Sequence, residues 1–363
     1  MEKKIKRASA YERAFVILDF LKRKTNAENK ITLNKLLNEA AVKDVVKDET
    51  ALNNLLREYM KLAYFSENSD RVMCDNIERL IDADEDETNI RLGKIYYEHA
   101  FSYDEIDCII ESLKFSKSID TATADVLIEK IKNNLTDDYY SDYKRGIHNV
   151  KELELADKKA LRNNLLTIQN AIEAGSCISF FFNGYDSNRT LQRSNSEKYI
   201  VTPYYIVAYN GRYYMIAAAK KYKTMSIWRI DLMTEVNLTD PAQTKENYLF
   251  KDEVKGLPNQ WEDSFIYSHL NMSFDEPINI KLKISRSKYL KNADYTFMYD
   301  WFRDSFRVLQ KGEAYNEVLV KCSPFAMVNW ALQYSERVEV LEPLSVRNVI
   351  AEKVKNLNEK YLR

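Results

Sequence analysis

The run Tyr199–Ala219, with Asn210-Gly211 near its middle, constrains the fold more than any other stretch of this chain. Aromatic and β-branched residues on both sides of an Asn-Gly pair predict two antiparallel strands joined by a type I′ turn, which needs positive φ at both central residues. Ser226–Asp231 reads as a third strand, and Cys177–Phe182 as a strand ahead of the hairpin. Between Asn183 and Ile230 the basic residues are Arg189, Arg193, Lys198, Arg212, Lys220, Lys221, Lys223 and Arg229, against only Asp186 and Glu197. That is a local surplus of six positive charges on a chain whose net charge is −1. A locally basic, tyrosine-rich β-module suits an anionic and aromatic ligand, such as a nucleotide or a short single strand.

The rest of the chain organises around this module. With 363 residues, 45% of them hydrophobic, and few Gly or Pro, the chain predicts two or three domains with real cores. Ala14, Ile17, Leu18 and Leu21 keep helical spacing. Thr32 reads as the N-cap of a short helix over Leu33–Ala40, and a third helix is expected from Asp48 to Met60. With Arg71–Asp75 as a wing strand, residues 1–75 outline a winged helix-turn-helix head. The acidic stretch Asp75–Ile90 reads as an exposed loop or wing tip. Residues 76–175 then form a helical linker, with helices expected at Tyr103–Leu113, Thr121–Asn134 and Asp157–Ala174, the last ended by Gly175.

Four or five short strands after a helix are what a small, Sm-like β-barrel would show over residues 176–240, although pieces of a sandwich look similar. Residues 241–276 read as a looser connecting segment. From 277 to 363 the pattern is a compact α+β domain: strands at Ile278–Ile284, Glu317–Cys322 and Val338–Leu341, and helices near Lys288, at Pro324–Tyr334 and at Ser345–Tyr361. The predicted class is thus α+β and multidomain.

Several chemistries lack their residues. Cys74, Cys108, Cys177 and Cys322 stand far apart, without metal-ligand spacing, and read as thiols of a reducing cytoplasm. His99, His148 and His269 lie in different segments, and no phosphate loop, nucleophile elbow or dinucleotide fingerprint occurs. No stretch approaches 18 apolar residues, and Met1–Arg7 is followed by no apolar signal core. The expectation is a cytoplasmic binding protein, not an enzyme, with no cofactor and no metal.

Three stretches, in order, resemble one family: bacterial regulators with an N-terminal helix-turn-helix, a WYL domain and a C-terminal extension. Tyr213-Tyr214-Met215 stands where that family has its Trp-Tyr-Leu tripeptide, Pro203-Tyr204 matches the preceding Pro-aromatic pair, and Trp228-Arg-Ile-Asp-Leu-Met233 resembles its F-R-x-D-R-I strand. Ile178–Phe182 is similar to the family's first strand, Asn329–Tyr334 with Val338–Pro343 to its extension, and Ile17–Leu21 with Ile31–Leu36 to its opening. The resemblance implies a homodimeric transcription factor whose barrel senses nucleic acid or a nucleotide-like molecule. It implies a ligand set of Arg229, Tyr204, Tyr214, Lys198 and Arg212: a planar guanidinium for phosphate, added positive field, and phenol rings for stacking.

The plainer reading of the same strands is packing, with the rings half-buried and Arg212 solvated at a hairpin tip. Leu232 replaces the second arginine of the family's strand, removing one phosphate contact. For duplex DNA the head offers Asn53 and Asn54, which can pair with adenine edges, and the cations Lys47 and Arg57. Asp44, Asp48, Glu49 and Glu58 oppose phosphate approach there, which shifts the burden to Lys3–Arg7 and Lys22–Lys24. Two functions remain in competition: a ligand-responsive DNA-binding regulator, or an accessory RNA- or single-strand-binding protein that modulates a CRISPR or other defence nuclease.

Overall fold

The computed structural model describes residues 9–64, 70–83, 90–116, 119–141, 158–286 and 294–362. The chain divides into two compact units, Met1–Leu153 and Glu154–Arg363. The expected cations Lys3–Arg7, the expected helix at Lys288 and acids Asp84–Glu87 lie outside the described residues.

In the first unit, α1 (Ala10–Lys24) opens with a capping box in which Ser9 and Glu12 satisfy each other's backbone N–H groups. Thr32 caps α2 (Leu33–Asn38), as its position predicts, by accepting from the Lys35 N–H. The single helix expected to Ala40 breaks at Glu39, whose extended backbone ends α2 and starts α3 (Ala40–Val45). Next come α4 (Glu49–Tyr64) and β1 (Arg71–Cys74). Part of the acidic stretch expected to be exposed instead forms α5 (Ile77–Asp82), because Leu80 gives it a fully buried anchor. Then β2 (Ile95–Glu98) pairs antiparallel with β1, and Ile31 bridges to Ile95. Leu92, Ile95 and Tyr97 share one core with Ile17, Leu36 and Leu56. The core that begins with α1 therefore extends past residue 75, to β2 at Ile95–Glu98.

The helices α6 (Tyr103–Phe115) and α7 (Thr121–Leu135) pack on Ile106, Ile110 and Ile128. Asp137, just beyond α7, has a fully buried side chain. Its carboxylate accepts from Tyr103 Oη at 2.5 Å, Asn26 Nδ2 at 2.9 Å and the Tyr139 and Tyr140 N–H groups. The Asp138 N–H donates to the Arg23 carbonyl at 2.8 Å. This turn is thereby fastened to the end of α1.

The second unit opens with α8 (Lys158–Ala174), closed by Gly175 at φ +59° as expected. Strands β3 (Ile178–Tyr185), β4 (Leu191–Arg193), β5 (Tyr199–Tyr209), β6 (Arg212–Ala218), β7 (Met225–Arg229) and β8 (Met233–Leu238) follow. Neighbours run β4–β3–β5–β6–β7, and β8 pairs with β3. Asn210 and Gly211 take φ of 48° and 70°, as the turn demands. The expected small barrel is realised as a curled antiparallel half-barrel. Among the described residues no ladder joins β7 to β8, and a 3-10 turn over Ile230–Leu232 carries the chain between them.

The face of the sheet carrying Phe180, Met215 and Trp228 packs on Leu161, Ile168 and Ala171 of α8. The opposite face of β5, β6 and β7 meets the segment expected to be a loose connector. That segment is instead packed, with α9 (Pro241–Asn247) and α10 (Ser264–Ser268) on either side of Leu249 and Val254. Leu249, Val254, Phe265 and Met272 share a core with Tyr204, Val207 and Ile216. Its polar average hid four well-spaced apolar anchors.

The chain ends in β9 (Ile278–Ser285), α11 (Thr296–Phe302), β10 (Phe306–Lys311), β11 (Tyr315–Cys322), α12 (Pro324–Gln333), β12 (Val338–Glu342) and α13 (Leu344–Tyr361). The antiparallel order is β10–β11–β9–β12. Three of these strands lie where the alternation of the sequence predicts them. The edge strand β10 carries no fully buried residue, so no clean alternation marks it in the sequence.

Candidate anion site on the half-barrel

Alternation along β6 and β7 decides which side chains reach the site. On β6, Tyr213 and Met215 turn toward α8, and Tyr214 turns the other way. On β7, Trp228 joins the α8 side, against Phe180, Phe182 and Tyr199. Arg229 follows on the face of Tyr214, directly opposite it in the ladder.

Arg229 grips Asp231 with a two-point fork, Nε to Oδ1 at 3.2 Å and Nη2 to Oδ2 at 2.6 Å. Arg212 reaches the same Oδ2 through Nη1 at 3.2 Å. One carboxylate, its side chain 11% exposed, thus holds two arginine side chains that are 32% and 38% exposed. The trio carries one net positive charge. The fork to Asp231 is the largest cause raising the Arg229 pKa. Tyr185, at the end of β3, lies within reach of the cluster: Asp231, Arg229 and Arg212 all act electrostatically on its phenol, and its Oη has no hydrogen-bond partner among the described residues. Burial raises the pKa of Tyr185 and Tyr214, while both arginines oppose that rise. Phenol donors beside cationic guanidiniums are groups of the kind that hydrogen-bond a phosphate or carboxylate.

Three of the five expected ligand residues, Arg229, Arg212 and Tyr214, come together here. Tyr204 does not. The ladder between β5 and β6 shifts register between Pro203 and Tyr205, making Tyr204 a bulge residue. It turns into the core, 6% exposed, and its Oη donates to the Leu249 carbonyl at 2.9 Å. A stacking role for Tyr204 is therefore withdrawn. Pro203 was the available signal, since proline inside a sheet marks an edge or a bulge. Lys198 lies in a different cluster, paired with Glu235 at 3.2 Å. Asp231 and Tyr185 were not foreseen. Asp231 was legible two residues after Arg229, whereas nothing local marked Tyr185.

In the head, Asn53 is spent on structure. Its Nδ2 donates to the Ile90 carbonyl and its Oδ1 accepts from the Leu92 N–H, both at 3.0 Å, so it cannot also read an adenine edge. Arg57 is half-buried on α4. Lys47, in the turn before α4, and Asn54 are exposed. The outward row of α4 is Thr50, Asn54, Glu58 and Leu62, with no cation among them.

Among the described residues no group of three or more metal-ligating side chains gathers, and no helix is long and apolar enough to cross a membrane. Residues 163–238 match the WYL domain model, about a fifth of the chain. The half-barrel with α8 is thus a WYL domain. No curated protein matches. Among solved structures, the chain is similar to a CRISPR Cas-related protein at 15% identity and a TM-score of 0.31, over 55% of this chain and 54% of the other. It is also similar to proteasome accessory factor B/C (PafBC) of Arthrobacter aurescens, at 12% identity and a TM-score of 0.26, over 99% of this chain and 50% of the other. The chain spans about half the length of each.

Proposed function

We propose that this protein is a nucleic-acid-associated regulator whose WYL domain binds an anionic, nucleotide-like or single-stranded effector at Arg229, Arg212, Tyr214 and Tyr185. The observation that carries this reading is the open surface that Arg229 and Arg212 keep although Asp231 engages both, taking up the fork expected for phosphate. The half-buried Tyr185 lies within electrostatic reach of the trio, and its Oη has no hydrogen-bond partner among the described residues. Two arginines held by one acid leave positive charge unspent, and the orphan Oη lacks only an acceptor. The reading is binding without catalysis, in a homodimer, within the cytoplasm.

For the head we propose a winged helix-turn-helix. Support comes from the order α1, the Ile31 bridge, α2 and α3, α4, then the β1–β2 pair. In the first form of the proposal the head binds duplex DNA through Lys47, Asn54 and Arg57, and the effector alters that binding. A second form is favoured by the cation-free row on α4: the head contacts protein, and the chain serves as an accessory to a defence nuclease.

A mobility-shift comparison of duplex and single-stranded DNA and RNA, at low salt, separates them. Retained duplex binding by Arg229→Ala, with loss of effector response, supports the regulator. Single-strand binding that Arg229→Ala weakens at least tenfold, with no duplex binding, supports the accessory form. If Arg229→Ala changes neither, the site itself is lost.

A further inference from the structure

Phe181, Asn183 and Tyr185 share the face of β3 that points away from α8, because alternate residues of a strand project to one side. Tyr185 belongs to the Arg212–Arg229–Asp231 cluster. Phe181, four residues earlier, carries a second cationic group. The Arg193 guanidinium lies 3.7 Å from its ring centroid, and the Lys198 ammonium 5.3 Å from the same centroid. Both cations pair with Glu235, Lys198 at 3.2 Å.

Like the first cluster, the second sets two cations around one carboxylate beside an aromatic ring. It too is aimed by the backbone. Between the pairs Ser179–Asn237 and Phe181–Thr234 the ladder gains a residue on β8, and Glu235 there takes a left-handed φ of 53°. A bulge of this kind redirects a side chain. Holding a non-glycine residue at positive φ stores backbone strain, and such strain collects at functional sites. Asn183, 3% exposed, stands between the clusters and clamps β3 to the Leu232 carbonyl at 2.8 Å. The spacing is therefore rigid. Four residues at roughly 3.3 Å each separate Phe181 and Tyr185 by about 13 Å.

We infer that Arg193 and Lys198 form a second phosphate subsite on the same strand, so that the WYL domain grips a single strand of about four nucleotides rather than one mononucleotide. The inference rests on the reading of the Arg229 cluster as an anion site and adds length to it. A stacked strand advances about 3.4 Å per nucleotide, so four nucleotides cover the interval. Arg193 and Glu235 are each half exposed, which leaves the cations reachable and the carboxylate displaceable by a stronger anion.

The test is fluorescence anisotropy with 5′-labelled oligothymidylates of two, four and eight nucleotides. It uses the wild-type chain, Arg193→Ala/Lys198→Ala, Glu235→Gln and Arg229→Ala, each checked for folding by thermal melting. Wild type is expected to gain at least tenfold in affinity from two to four nucleotides. The double variant should bind the dinucleotide like wild type and lose that gain; Glu235→Gln should enlarge it. Equal affinity of wild type and both Glu235→Gln and the double variant at every length overturns the inference, as does equal weakening of the double variant at all lengths. Arg229→Ala reports on the first site separately. If it leaves all three lengths unchanged, the reading of that cluster falls, and if no oligomer binds wild type, both fall.

Discussion

Tyr214 and Arg229 stand directly across from one another on β6 and β7, on the sheet face opposite α8. Their neighbours Tyr213 and Trp228 take the α8 face, so one alternation supplies the half-barrel with a core and a candidate site together. The site's geometry then depends on Asp231, which sits in the turn after β7 and draws in Arg229 and Arg212.

Replacing Asp231 by Asn should raise the domain's appetite for anions while lowering its stability. The net local charge rises by one, and both guanidiniums lose a charged acceptor. Breaking such a partly buried pair costs roughly 1–3 kcal/mol. A salt titration of oligonucleotide affinity is expected to steepen by about one ion, with a lower melting temperature. An unchanged slope would mean that Asp231 does not compete with the ligand.

Arg229→Lys keeps the charge but not the planar fork. A single ammonium cannot hold Asp231 at two points and still face a ligand oxygen. Affinity for short oligonucleotides should drop about tenfold by isothermal titration. Wild-type affinity in this variant would show that field strength, not fork geometry, does the binding.

The two asparagines of α4 should behave oppositely. Asn53→Ala strands the Ile90 carbonyl and the Leu92 N–H, at a cost of about 1–3 kcal/mol in urea melts. Asn54→Ala, at an exposed position, should leave stability within about 0.5 kcal/mol and alter only contacts to a partner. Equal effects on stability would contradict the bridging role of Asn53.

Asp137 is expected to be the most sensitive single position in the first unit. Asp137→Ala leaves the Tyr103 hydroxyl, the Asn26 amide and two backbone N–H groups without their acceptor. A loss of at least about 1–3 kcal/mol follows from leaving buried donors unsatisfied. Chemical denaturation followed by a probe in this unit measures it. A change below about 1 kcal/mol would show that the turn finds other partners.

His269 predicts a pH dependence in the second unit. It is 4% exposed, its ring stacks on Phe265 at 3.9 Å, its Nδ1 lies 2.9 Å from the Phe265 carbonyl, and its Nε2 has no partner among the described residues. Burial lowers its pKa below the ordinary value, although Asp275 pulls the other way. The unfolded chain therefore takes up the proton first. The neutral ring's contribution is complete above about pH 6.5 and is lost as pH falls from there toward the folded-state pKa. Melting between pH 7.5 and 5.5 should show the decline, and His269→Gln should flatten it. Parallel curves for the two proteins would remove His269 as the cause.

Much of the architecture was written locally. Asn210-Gly211 specified the hairpin, Thr32 its helix cap, Gly175 the end of α8, and the period-2 run at Ile278 the strand β9, because each depends on neighbours in sequence. The basic character of the β-module was legible for the same reason, whereas Arg229, Arg212 and Tyr214 entered only within the five residues that the family resemblance implies. What the tertiary structure alone decided were long-range pairings. It placed Tyr204 in the core through a bulge after Pro203, packed residues 241–276 beneath β5 and β6, and paired β1 with a strand at Ile95–Glu98. It also spent Asn53 on the backbone at Ile90 and Leu92, and brought Tyr185 and Asp231 to one place from positions 46 residues apart. Periodicity fixes which face a side chain takes; only the folded register fixes what waits on that face.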